Sequence, residues 1–166
     1  MISLYRIDDR IIHGQTMIKL LPQYPCDGII IVDNNIVQNK PLFRIYKQVV
    51  PDTIKVFCFS VDQATKKLSE AQLSQKKYII IFKNVKTVKD LFDHGYQITD
   101  EISVGTASKK SDAHYIVDGF ALNNEEIDLF DYLDNNGYRF SIIPMGGARR
   151  TISWKDVKEK AQEAKS

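Results

Sequence analysis

Cysteine is scarce in this 166-residue chain, which holds two, Cys26 and Cys58, and no C-x-x-C pair. No disulfide or metal framework is expected, and so few cysteines fit a reducing compartment. The opening residues MISLYRIDDR lack the apolar core and small-residue cleavage site of a signal peptide, so the cytoplasm is the expected location. Long hydrophobic runs are missing too: the strongest, at residues 29–32 and 78–82, fall far short of the roughly 20 residues that span a bilayer. Neither charge dominates. With 23 Lys and Arg against 21 Asp and Glu, the net charge is +2 and scattered, which argues against a nucleic-acid partner and makes any anion site a local one. There is no internal repeat, low-complexity tract or linker, and a chain of this length reads as one domain, residues 1–166.

What is present is a succession of short β-branched runs, at residues 2–5, 29–32, 54–59, 78–82, 102–104 and 138–143, with a further short strand near Phe120. Several are apolar at nearly every position, as in strands buried on both faces of a parallel sheet. Helical segments alternate with them. The first is expected over residues 15–21, with Met17, Ile18, Leu20 and Leu21 inward and Pro22 as its stop. The second begins near Pro41 with Asn39 as cap, packs through Phe43, Ile45, Tyr46 and Val49, and ends at Pro51. Ser60 to Gln63 forms a capping-box pattern ahead of apolar positions 61, 64, 68 and 71. Residues 87–90 open a fourth helix that Gly95 closes, Asn123 or Asn124 opens a fifth that Gly137 closes, and Ser153 caps a sixth. The expected fold is α/β: an open, mostly parallel twisted sheet with helices on both faces, binding ligands beyond the carboxyl ends of its strands.

The densest chemistry lies where the first strand runs out. Residues 6–16, RIDDRIIHGQT, hold Arg6, Asp8, Asp9, Arg10 and His13 within eight positions. His13 then falls just ahead of the free amides of the first helix, where a phosphate meets backbone N–H groups and the positive end of the helix dipole. Gly14 leaves the backbone open to close approach. Histidine, with an ordinary pKa of about 6.5, is a nucleophile suited to carrying a phosphoryl group reversibly. Arg10 can neutralise the phosphoryl oxygens, and Asp8 or Asp9 can orient the imidazole or hold the arginine. The same residues also fit a surface ion-pair cluster with His13 capping a turn. A second reading of the chain is a non-catalytic module that binds an anion or nucleotide here, although no GxGxxG or GxxxxGK[ST] stretch exists to hold a nucleotide.

Arg6 to Thr16 resembles, without a gap, the signature R-[IV]-D-[DN]-R-[LI]-I-H-G-Q-[VTI] of the IIB component of the mannose/fructose/sorbose family of the sugar phosphotransferase system. The resemblance continues through IIIVDNN (29–35), VFCFSVDQA (56–64), IIIFKNVKTVKDLFDHG (79–95) and ISVG (102–105). It implies a phosphotransferase: His13 takes a phosphoryl group from the IIA component and passes it to a hexose-type sugar moving through the membrane components IIC and IID. It also implies that Arg10 stabilises the phosphoryl group, with Asp8, Asp9, Gly14 and Gln15 completing the loop. No metal or organic cofactor is implied, and the protein would work peripherally at the membrane permease. One departure is that Thr106 follows Gly105 where many family members carry a second glycine.

The remaining candidates have simpler readings beside the functional ones. Ser60 is a helix cap or a border of the phosphate site, and Asp33 and Thr106 can line the same crevice from their strand ends. Arg6 joins them as a candidate phosphoryl contact. His94 suits a helix C-terminus and His114 has no partner at recognisable spacing. Arg149 and Arg150 read as a solvated pair or as a dock for an acidic partner surface.

Overall fold

The two runs of three isoleucines, in GIIIV and YIIIF, become the central strands. In the computed structural model, which describes residues 1–107, 110–143 and 151–166, the order is β1 (Ile2–Ile7), α1 (Gly14–Gln23), β2 (Gly28–Val32), a 3-10 turn (Ile36–Gln38), α2 (Lys40–Val49), β3 (Lys55–Phe59), α3 (Val61–Leu73), β4 (Tyr78–Phe82), α4 (Val85–Asp93), β5 (Ile102–Val104), β6 (His114–Val117), β7 (Phe120–Leu122), α5 (Asn124–Asn135), β8 (Phe140–Ile142), β9 (Ile152–Ser153) and α6 (Trp154–Ala164). A seven-stranded sheet runs β3-β2-β4-β1-β5-β8-β9, parallel except for the short antiparallel β9, and β6 and β7 form a separate hairpin. The expected α/β architecture, a mostly parallel sheet flanked on both faces, is the one observed.

Side chains alternate across a strand, so each isoleucine run feeds two cores. Ile29, Ile31, Ile79 and Ile81 pack with Met17 and Leu20 of α1 and partly buried Phe43 and Tyr46 of α2. Ile30, Val32, Ile80 and Phe82 face the other way, toward buried residues of α3, α4, α5 and α6. The connection leaving β1 therefore passes over one face and that leaving its neighbour β4 over the other. Such a divergence opens a crevice at the carboxyl ends of the two strands, where ligands bind in open α/β sheets.

One register row across the sheet reads Cys58, Ile31, Ile81, Arg6, Ser103, Ser141, Ser153. It changes from apolar beneath α1 and α2 to polar beyond β1, and that change is what lets an arginine sit within a parallel sheet.

Several elements differ from expectation. Pro22 lies inside the last turn of α1, and the helix continues to Gln23, with Tyr24 N–H bonding the Leu20 carbonyl at 2.9 Å. Proline withdraws one bond, to Ile18, and Ile18 is 75% exposed rather than inward. Ile45 of α2 is likewise exposed. Helix α4 starts at Val85, because the Asn84 side chain accepts the Thr87 N–H and caps it two residues earlier. The β6–β7 hairpin and edge strand β9 are too short to show a period. Asn39, Ser60, Asn123 and Ser153 cap their helices as read from sequence.

Candidate active site

Strand β1 delivers its loop with the sheet still guiding it: Asp8 N–H bonds the Phe82 carbonyl at 2.9 Å, and Asp9 N–H reaches the Thr106 carbonyl at 3.4 Å. Asp8 is 1% exposed and Arg6 7%. Arg6 donates from Nε and Nη2 to Oδ2 of Asp8, at 3.2 and 2.9 Å, and from Nη1 to Ser103 Oγ at 3.2 Å. A charge pair this deeply buried is costly to break from one side, by about 3–5 kcal/mol. Arg6 is thus occupied inside the sheet and is not free to bind a phosphoryl group. It holds Asp8, whose other oxygen accepts the Arg10 N–H at 3.1 Å and the Thr106 hydroxyl at 3.3 Å. The same hydroxyl lies 3.1 Å from Oδ1 of Asp9. Thr106 therefore draws the two carboxylates together with one shared hydrogen.

Gly105 is needed for this packing. A Cβ there would overlap the Arg6 guanidinium and stand 2.8 Å from Asp8 Oδ2.

Beyond Asp8 the chain turns tightly, Ile11 N–H bonding the Asp8 carbonyl at 3.0 Å. Ile11 adopts φ 60°, a left-handed conformation that costs a β-branched residue about 1–3 kcal/mol. Its side chain is 1% exposed, and burying it returns about 1.5–3 kcal/mol. His13 follows as N-cap of α1, extended at φ −132° and ψ 137°, with no side-chain hydrogen bond to the helix amides and no acidic residue in the first turn. Its Nδ1 is buried and has no hydrogen-bond partner among the described residues. A Cβ on Gly14 would meet nothing within 4 Å among the described residues, which leave the head of α1 open. Arg10, with its side chain 40% exposed, stands over this helix head: Nη2 is 3.4 Å from Thr16 Oγ1, and Nε is 4.0 Å from Asp8 Oδ1. A cationic side chain and uncapped helix amides thus converge where His13 sits, while Arg6 and Thr106 hold the Asp8 carboxylate and Thr106 that of Asp9.

The structure thus brings together Arg6, Asp8, Asp9, Arg10 and Thr106, with His13, Gly14 and Gln15 entering α1 beside them. Ser60 and Asp33 are employed elsewhere. Ser60 accepts the Gln63 N–H in a full capping box, and β3 before it lies three strand spacings from β1, about 14 Å. Asp33 accepts the N–H groups of Asn35 and Ile36 and so starts the 3-10 turn. His94 bridges the Asp90 carbonyl and the Asp62 carboxylate, and His114 bonds Asn124. Burial pushes the Cys58 thiol up to about 12 and raises Cys26 as well, so neither is a thiolate nucleophile near neutrality. Among the described residues no group of three His, Cys, Asp or Glu is placed to hold a metal ion. Arg149 and Arg150 lie outside the described residues. Sequence reasoning missed Ile11 and Ser103, because nothing local marks a left-handed isoleucine or a serine on a strand distant in sequence.

Residues 2–166 match the family described as PTS system sorbose subfamily IIB component. The chain belongs to that family, the IIB components of the sugar phosphotransferase system of sorbose, mannose and fructose type. Its sequence is 25% identical over 141 residues to the fructose-specific EIIB component of Bacillus subtilis, covering 85% of this chain and 86% of that one. It is 22% identical over 141 residues to the mannose-specific EIIAB component of Escherichia coli, covering 85% of this chain and 43% of that longer protein. The fold matches that of the IIBSor domain of the sorbose permease from Klebsiella pneumoniae with a TM-score of 0.84, over 98% of this chain and 97% of that one, at 22% identity. A role in phosphotransfer for sugar uptake follows from the family. No helix among the described residues is long and apolar enough to cross a membrane.

Proposed function

We propose that this protein is a phosphocarrier in which His13 receives a phosphoryl group from a phosphohistidine of a IIA component and hands it to a hexose-type sugar moving through membrane components IIC and IID. The observation that carries this reading is the position of His13: at the uncapped head of α1, with Arg10 over the same helix turn and Nδ1 without a partner among the described residues. Phosphorylation adds about −1.5 to −2 charge, and the dipole, amides and guanidinium are what can compensate it. Arg10 acts on the equatorial oxygens during transfer, Asp8 fixes the Arg10 backbone, and Thr106 fixes Asp8 and Asp9. The relative whose name joins an A to a B component supports a IIA partner. The protein then works in the cytoplasm, docked peripherally on the permease.

Nδ1 is the nitrogen assigned to the transfer. A proton on it would face no acceptor among the described residues, whereas a lone pair is favoured beside the positive end of a helix. With its proton on Nε2 the ring carries its lone pair on Nδ1, and a turn of the imidazole brings that buried atom out to the donor phosphoryl group.

The test is incubation with phosphoenolpyruvate, the two general phosphotransferase proteins and a cognate IIA, read by mass analysis and phosphorus NMR. One acid-labile phosphoryl group on the peptide of residues 11–19, attached at Nδ1 and lost in His13→Ala, is expected. Arg10→Ala should slow transfer in both directions by about 100-fold or more. A His13→Ala protein that still takes up phosphate normally would falsify the assignment.

A further inference from the structure

Ile11 is the one residue other than glycine with a positive φ among the described residues. Left-handed backbone crowds Cβ against the following carbonyl, and chains that need it ordinarily use glycine or asparagine. Here a β-branched residue takes it, one position after Arg10 and two before His13. Ile11 and Ile12 are both buried, and both join the core beneath α1 with Met17, Leu20 and Ile36. In extended chain, consecutive side chains point to opposite sides. The left-handed residue breaks that alternation. Two neighbouring side chains can then enter one core while Arg10 stays outward, its side chain 40% exposed, and His13 sits half-buried at the helix head. Asp8 clasps the other end of the turn, through its carbonyl to Ile11 N–H and its carboxylate to Arg10 N–H.

We infer that Ile11 is a positioning residue for phosphoryl transfer: its buried side chain locks the left-handed turn that sets the Arg10 guanidinium and the His13 imidazole on a common side of the loop. The inference rests on the carrier reading. Glycine at this position would meet the backbone geometry without strain but leave the turn unanchored. An isoleucine where backbone shape alone favours glycine points to a demand for rigidity. Phosphoryl transfer depends on charges already in place, and a misplacement of about an ångström costs on the order of 100-fold in rate.

The experiment compares wild type, Ile11→Gly and Ile11→Val in phosphoryl transfer from phosphorylated IIA, with circular dichroism to confirm folding and 15N relaxation across residues 10–13. Ile11→Gly should lose roughly 10–100-fold in rate at saturating IIA with KM within about twofold, and order parameters at residues 10–13 should fall. Ile11→Val, which keeps the branch and most of the packing, should stay within about threefold of wild type. A folded Ile11→Gly that transfers at the wild-type rate, or that loses only in KM, overturns the inference. If Ile11→Gly does not fold, Ile11→Ala is read by the same criteria. Should the wild type itself take no phosphoryl group, the carrier reading fails, and the relaxation data judge Ile11 by themselves: unchanged order parameters in Ile11→Gly reject its anchoring role.

Discussion

Gly105 faces the guanidinium of Arg6 so closely that a methyl group on it would overlap Nη2 and lie 2.8 Å from Oδ2 of Asp8. A glycine directly after β5 is therefore what allows an arginine of β1 to be buried against its own aspartate. No positive φ is involved at Gly105. The requirement is steric.

Gly105→Ala should accordingly destabilise the fold by about 1–3 kcal/mol, as overpacking does, and should shift the Asp8 carboxylate that holds Arg10. Urea denaturation reads the first effect, and transfer kinetics in the surviving folded protein read the second. A variant as stable as wild type would show that the guanidinium can move aside.

Gly14→Ala separates folding from function. Nothing among the described residues lies within 4 Å of the added Cβ and alanine is the better helix former, so stability should hold or rise by up to about 1 kcal/mol. Uptake of phosphate should nevertheless fall by an order of magnitude or so if that space receives the phosphoryl group. Wild-type kinetics in Gly14→Ala would place the group elsewhere around the imidazole.

Thr106→Val keeps shape and loses the hydroxyl shared by Asp8 and Asp9. The cost in stability should be about 1 kcal/mol, while transfer slows because two neighbouring carboxylates lose their common donor. Thr106→Ser should restore both. Unaltered kinetics in Thr106→Val would leave the hydroxyl a purely structural contact.

His94 gives stability a pH dependence far from the loop. Its hydrogen bond to the Asp90 carbonyl, aided by the Asp62 carboxylate, raises its pKa above the ordinary histidine value. A raised folded-state pKa favours the folded form when the ring is protonated. The contribution is thus fully present below about pH 6.5, the unfolded value, and disappears as pH climbs through the raised folded one. Between about pH 5.5 and 8.5 the urea midpoint of wild type should fall more than that of His94→Gln. Parallel curves would mean that the bridge does not form in solution.

Much of this architecture is legible in the residues alone. The isoleucine runs mark β2 and β4 because a strand buried on both faces admits no polar position. Asn39, Ser60, Asn123 and Ser153 mark helix starts because a cap is a local hydrogen bond, closed within three residues. The candidate loop is legible for the same reason: Asp8, Arg10, His13 and Gly14 lie on one turn of chain between a strand and a helix. Ser60 shows the limit. Its position at a strand end makes it eligible for the crevice, but strand order, which places β3 at the sheet edge, is not written in any local pattern.

The sequence by itself determined the alternation of strands and helices, their caps and the loop that bears the histidine, since hydrophobic period and capping act over a few residues. Only the tertiary structure decided which carboxylates stand together, that Arg6 supports the loop from within the sheet, and that Gly105, Ser103 and Thr106 complete it. Those contacts join residues about a hundred positions apart. They exist because β1 and β5 pair in parallel, and pairing of distant strands is settled by the packing of the whole chain, as is the left-handed turn that the core holds at Ile11.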